Sequence, residues 1–264
     1  MSLIEKARRF ANSNQSEILQ RDDYVRERLY PRPGDADYLH LSDLRLALED
    51  IKEDVLLRVL DYGCGGSPYR LLFPNADYRR ADYSGFENLN YVIAADSNVI
   101  EANETFDLIL STQVIEHVIN VRAYFAECYR LLKPGGKVVC TTHGSYIDHG
   151  CPDDYQRWTA GGLRRDLESA GFMVRRIVKL TTGPRALMYF ADRFNDWLCV
   201  QRTSGFALAL WVLRSLIRRF RRQIHARCDR MFAAHRVVMD DLDEHPFYVN
   251  ILAIAVKPDV LGGI

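Results

Sequence analysis

The chain has 264 residues, 48% of them hydrophobic, and its 35 Lys and Arg are matched by 35 Asp and Glu. Those values exclude a disordered chain and predict one principal globular domain with an appendage. Overall neutrality gives no reason to expect nucleic acid or an acidic surface as a partner. The six cysteines are never closer than eleven positions, so no CxxC zinc or redox pattern exists and reduced thiols in the cytoplasm are expected. Charges at Glu5, Lys6, Arg8 and Arg9 interrupt any signal-peptide core, and the longest apolar run, Phe206 to Leu213, is too short to span a bilayer.

Residues 1–37 are read as a helical N-terminal segment. Leu41, Leu44, Leu48 and Ile51 then recur at helical spacing and lead into a strand at Leu56 to Leu60. Short strand-like runs follow, ending at Asp82, Asp96, Ser111 and Thr142. A helix is expected from Val114 to Leu132, halted by the Pro and Gly of KPGGK. Thr159 is a candidate N-cap for AGGLRRDLESAGF. FMVRRIVKL and the run from Phe247 to Val256 read as the last two strands. This alternation implies an α/β fold, a mostly parallel sheet with helices on both faces. Ligands in such sheets collect at the carboxyl ends of the strands, so Asp82, Asp96, Ser111 and Thr142 should ring one crevice.

VLDYGCGGSP, from Val59 to Pro68, ends its apolar run in three glycines, which allow positive φ and close approach of a ligand to the main chain. No Lys follows as a Walker loop would need. The third glycine of a dinucleotide fingerprint is replaced by Pro68. The loop therefore suits a nucleoside without a pyrophosphate. Asp82 stands nineteen residues after Gly63, where an acid closing the second strand can accept two ribose hydroxyls.

The succession VLDYGCGGSPYR, YRRADYS, AADS, FDLILSTQVIEHV, LLKPGGKVV and DDYQRWTAGGLRRDLESAGF resembles the class I S-adenosylmethionine-dependent methyltransferases, of the type 11-like kind. The resemblance covers roughly Leu56 to Leu180. It implies a Rossmann-like, seven-stranded sheet whose last strand runs antiparallel, with S-adenosylmethionine as cofactor. It also implies that Asp61, Gly63, Cys64, Gly65, Asp82, Tyr83, Asp96, Ser97, Ser111 and Gln113 form the cofactor site, with Cys64 a small apolar filler. On this reading the cofactor domain comprises residues 38–180 and 247–264, and residues 181–246 form a helical, Arg-rich insertion or lid. Single aspartates at strand ends can equally cap turns.

Transfer to a hydroxyl benefits from a general base near neutral pH. HGSYIDHGCPDDYQRW, after the fifth strand, supplies His149 as first candidate, His143 as second, and Tyr155 beside them. Some relatives, among them the small-RNA 2′-O-methyltransferases and ubiquinone-pathway O-methyltransferases, bind a divalent metal through Glu-x-x-Glu-His. Here Gln113 replaces the first Glu before Glu116 and His117, and no metal is expected. The expected function is O-methylation of a sugar or other polar small molecule, by analogy with bacterial polysaccharide or natural-product enzymes. N-methylation, or a cofactor-holding scaffold without activity, are the alternatives.

Residues 201–236 carry nine Arg against one acid, Asp229. Phe206, Leu210, Leu213, Ile217, Phe220 and Ile224 form an apolar stripe bordered by Arg214, Arg218, Arg221 and Arg222. Such a helix packs as a lid, pairs with a second copy, or lies on an anionic membrane.

Overall fold

Short apolar strands separated by amphipathic helices must bury both faces of whatever sheet they build. The computed structural model describes residues 17–51, 57–150, 153–197, 205–239 and 245–259. The N-terminal part forms helices α1 (Asp22–Leu29) and α2 (Tyr38–Glu49). Strands β1 (Arg58–Tyr62), β2 (Asp77–Asp82), β3 (Tyr91–Val92) and β4 (Phe106–Thr112) follow. Helix α3 (Val121–Leu131), strand β5 (Leu132–His143), helix α4 (Ala160–Ser169) and strand β6 (Met173–Thr182) continue the alternation. Helices α5 (Gly183–Trp197) and α6 (Gly205–Met231) and strand β7 (Val237–Met239) precede β8 (Tyr248–Val256).

The sheet has eight strands in the order β3-β2-β1-β4-β5-β8-β6-β7. Pairing is parallel from β3 to β5, while β8 runs antiparallel between β5 and β6. Strand order reverses between β1 and β4, which places the binding crevice at their carboxyl ends. One face carries Phe125, Cys128 and Leu131 of α3 with Leu163 and Leu167 of α4; Leu44, Ala47 and Leu48 of α2 cover the other. The eighth strand is β7, contributed by the long insertion and paired antiparallel to β6 at the sheet edge. No described helix is long and apolar enough to cross a membrane.

Several boundaries differ from those expected. Strand β1 runs two residues further, since Asp61 is satisfied there by the Tyr78 hydroxyl, which donates at 2.8 Å, and Tyr62 stacks on Tyr124. The expected helix from Val114 divides. Gln113 adopts a left-handed φ of 56°, Ile115–His117 make one 3₁₀ turn, and α3 starts only where the Asn120 side chain accepts the Ala123 N–H. KPGGK follows closely on the end of α3 at Leu131, as expected of a stop. It lies within β5, where the Gly135 N–H donates to the Lys257 carbonyl. Strand β3 ends at Val92 because the Ser97 N–H donates back to Ala94 and closes a turn. Thr159 caps α4 as expected, accepting the Gly162 N–H at 3.1 Å.

The insertion is tied to α2 by a buried ionic cluster. Arg185 and Asp43 are both fully buried, with contacts of 2.6 and 2.9 Å. Arg236 adds a second donor to Asp43, and Asp229 balances Arg185 at 3.0 Å. The apolar stripe of α6 does not pack as a unit. Ile224 enters a small core with Tyr38, Leu39 and Tyr189, whereas Leu213 and Phe220 face solvent and the side chain of Phe206 lies outside the described residues. Arg214, Arg218 and Arg221 turn toward α5, where they meet the Asp196 carbonyl and the carboxylates of Asp192 and Asp196.

Candidate active site

The glycine loop folds back on β2, with the N–H groups of Gly63 and Cys64 both donating to the Ala81 carbonyl. Gly63 and Gly65 have φ of 85° and 48°, conformations that a side chain disfavours. Gly66 serves close approach: a Cβ there would lie 2.3 Å from the carbonyl oxygen of Leu19, so only glycine lets the N-terminal segment cover the loop. Under that cover lies a cavity of about 270 Å³ at the carboxyl ends of β1, β2, β4 and β5. That volume approaches the lower end, roughly 300 Å³, of ordinary small-molecule sites.

One end of the cavity has the features of a nucleoside site. Asp82 is almost fully buried and lines it; its two oxygens accept N–H groups from Gly65 at 2.6 Å and Tyr83 at 2.7 Å. Each oxygen keeps a second lone pair, which matches a ribose diol. Burial raises the Asp82 pKa to about 6. Phe86, Ile93 and Val118 supply the apolar surface that a purine needs. Among the described residues no cationic side chain hydrogen-bonds into this end as a pyrophosphate would require; Arg80 turns away to the Ser67 hydroxyl and the carbonyls of Gly65 and Glu87. The residues present therefore fit a phosphate-free nucleoside such as that of S-adenosylmethionine.

The other end is lined by His117, His143, Tyr146 and His149, with Tyr24 and Arg28 from α1 and His40 from α2. The Arg28 guanidinium stacks 3.4 Å over the Tyr24 ring. His149 Nδ1 faces two acceptors, Asp154 Oδ2 at 3.2 Å and the Ile147 carbonyl at 3.4 Å. It therefore carries the proton, and Nε2 is left with its lone pair. Burial pushes Asp154 up, but hydrogen bonds from Arg157 and from the His149 N–H outweigh it and hold the carboxylate well below its ordinary range. Burial lowers the His149 pKa, so the imidazole is neutral at pH 7.

Behind His149 runs a buried chain with a defined proton direction. The Asn250 amide donates to His40 Nδ1 at 3.1 Å, so its oxygen, 2.9 Å from His143 Nδ1, is the acceptor there. His143 Nε2 then presents a lone pair to Glu116 Oε1 at 3.2 Å. Two acceptors cannot face each other, and burial raises Glu116 to about 7, so one proton is shared within this pair. Thr142 donates to the other Glu116 oxygen at 2.8 Å. Glu116, His143 and His149 each have a donor atom within 4.8 Å of the others, the spacing of a metal site. In this arrangement the first two share a proton and the third is held by Asp154.

Of the residues singled out from sequence, Gly63, Cys64, Gly65, Asp82, Tyr83, Ser97, Gln113, His143 and His149 line this one cavity. Four others lie elsewhere. Asp61 sits beneath the loop on Tyr78, and Ser111 is fully buried under the Tyr124 hydroxyl. Asp96 is exposed and caps its own turn by accepting from Asn98. Tyr155 points outward and donates to Asp153. Thr142, expected at the crevice, is withdrawn to Glu116. Sequence reasoning missed Arg28 and His40, which carry no motif, and Asn250, whose signal was a lone amide in an otherwise apolar strand.

A family profile described as a methyltransferase domain matches residues 34–177, more than half of the chain. Ubiquinone biosynthesis O-methyltransferase of Cereibacter sphaeroides is 36% identical over 104 residues, covering 33% of this chain and 41% of the relative. The corresponding protein of Maricaulis maris is 35% identical over 103 residues, covering 33% and 40%. The chain thus spans about two-fifths of the length of these curated relatives. Among solved structures, the cyclase SpnF superposes with a TM-score of 0.50 at 18% identity, covering 88% of this chain and 86% of its own. Phosphoethanolamine N-methyltransferase 2 of Haemonchus contortus, solved with S-adenosylhomocysteine, has a TM-score of 0.50 at 16% identity, covering 94% and 61%. Those two likenesses show the fold. With the profile match, the sequence blocks and the cavity in agreement, the chain belongs to the class I S-adenosylmethionine-dependent methyltransferase family.

Proposed function

We propose that this protein transfers a methyl group from S-adenosylmethionine to a hydroxyl of a small acceptor, with His149 as general base. One observation carries the reading: the glycine loop with Asp82, and the His149–Asp154 pair, open onto the same cavity. The cofactor, when bound, supplies an electrophilic methyl group on a positive sulfonium. Asp82 accepts its ribose hydroxyls, Gly63 and Gly65 let it approach the backbone, and Ile93 and Val118 flank its base. His149 Nε2 would take the acceptor's hydroxyl proton as the O–C bond replaces the S–C bond, with neutral S-adenosylhomocysteine as leaving group, and Asp154 would steady the imidazolium that results. The His143–Glu116 pair, sharing its single proton, carries no net charge behind it. Alignment supplies the rest of the rate.

The relatives' name supports O-methylation and gives no support to the sugar acceptor expected from sequence. Rings of Tyr24, Tyr146 and His149 wall the acceptor end, which favours a flat, hydroxylated ring. Because a cyclase shares the fold, the architecture alone does not fix the reaction. Incubation with methyl-labelled S-adenosylmethionine and parallel sets of phenols, sugars and amines tests the reading. Label on an ether oxygen with equimolar S-adenosylhomocysteine is expected. Label on amines only would replace O- by N-methylation, and binding without label in any set would leave a scaffold.

A further inference from the structure

The inner face of α6 is fixed by its contacts. His225 meets Asp192 at 3.1 Å and accepts the Gly34 N–H at 3.1 Å, Arg221 meets Asp192 and Asp196, and the Tyr38 hydroxyl donates to Asp229 at 2.5 Å. With 3.6 residues per turn, the opposite face is then settled. Its first half is apolar: Leu208, Val212, Leu213, Leu216 and Phe220 are 49%, 43%, 53%, 48% and 48% exposed. Its second half is basic: Arg219, Arg227 and Arg230 are exposed and have no ion-pair partner among the described residues, while Arg222 lies at its margin beside Gly34. The helix has one acid, Asp229, and that carboxylate is turned inward to Arg185 and Tyr38.

The apolar half is hydrophobic on its inner and outer sides alike, a pattern that calls for cover. From Leu208 to Phe220 the face is about 18 Å long. The buried centre of a protein interface is depleted of charge, whereas this apolar half runs directly into unpaired arginines. A bilayer suits it better, because basic residues add attraction to lipid phosphates and three outward arginines lie on this face with no acid among them.

We propose that the outer face of α6 docks on an anionic bilayer surface, with the apolar half at the acyl boundary and Arg219, Arg227 and Arg230 against the headgroup phosphates. This holds whether or not the catalytic reading does. The test is co-sedimentation of the full chain with vesicles of equal phosphatidylcholine and phosphatidylglycerol, and with phosphatidylcholine alone. Binding to the anionic vesicles only, weakening as salt rises, is expected. Joint Arg219→Gln, Arg227→Gln and Arg230→Gln should weaken it by about a hundredfold, since each basic residue near an anionic leaflet contributes roughly a factor of five. Leu208→Ser with Leu216→Ser should lower binding even at low salt. These side chains are exposed, so circular dichroism should be unchanged. No pelleting, equal pelleting with neutral vesicles, or insensitivity to both variant sets would overturn the proposal. So would a dimer in sedimentation velocity that Leu208→Ser with Leu216→Ser dissolves, because the face would then belong to a second copy.

Discussion

Cofactor affinity should depend on pH through one buried carboxylate. Asp82 must be ionised to accept two hydroxyls, yet its burial raises the pKa from 3.8 to about 6. At pH 5 about one-tenth of the protein then carries the binding form, so affinity should be about tenfold weaker than at pH 8, or about 1.4 kcal/mol. Stability has the opposite sign. The folded-state pKa exceeds the unfolded one, so the contribution of protonated Asp82 is complete below 3.8 and is lost as pH rises through about 6. A displacement of that size is worth about 3 kcal/mol. Asp82→Asn escapes it but leaves one of the two backbone donors, Gly65 or Tyr83, unpaired at a cost of about 1–3 kcal/mol. The variant should therefore melt near the parent at pH 7 while binding S-adenosylhomocysteine more than tenfold more weakly, and with a flat pH profile. Calorimetric titration from pH 5 to 8 is the assay. A parent affinity constant across that range, or an unchanged affinity in Asp82→Asn, refutes the reasoning.

Other consequences follow from single contacts. His149→Ala should lower kcat by about a hundredfold or more and leave S-adenosylhomocysteine binding intact, as steady-state kinetics beside calorimetry would show. Exhaustive chelation should leave the parent's turnover unchanged; loss restored by a divalent ion would instead assign Glu116, His143 and His149 to a metal. Gly66→Ala should displace the segment around Leu19, since its Cβ has 2.3 Å to the carbonyl, and destabilise by about 1–3 kcal/mol in urea denaturation. Arg185→Met should cost about 3–5 kcal/mol in the same assay, because Asp43 keeps its buried charge while losing its closest partner.

The glycine-loop end of the cavity was legible in the sequence because its parts are local. A glycine loop ends β1, and an acid ends β2 at a fixed distance; both follow from strand–turn geometry. Asp96 escaped because Ser97 takes a left-handed φ of 72° and closes a turn that leaves the acid in water. Side-chain alternation accounts for Ser111: a strand sends neighbours to opposite faces, and Ser111 points at Tyr124 on α3 instead of into the cavity. Tyr155 was misplaced because Arg157 draws its neighbour Asp154 inward, leaving the ring outside. The acid–base chain was beyond pattern reading. His143 and Asn250 are 107 residues apart and meet only because β8 inserts between β5 and β6. In α6 the period was readable, but not which side Asp192 and Asp196 would hold.

The account stands on a cavity that holds S-adenosylmethionine with its ribose on Asp82. Titrating S-adenosylhomocysteine into the purified protein by calorimetry tests this most directly. One saturable site per chain at pH 8, weakened in Asp82→Asn and retained in His149→Ala, is the predicted result. Absence of heat with the parent protein, or binding indifferent to Asp82, would contradict it.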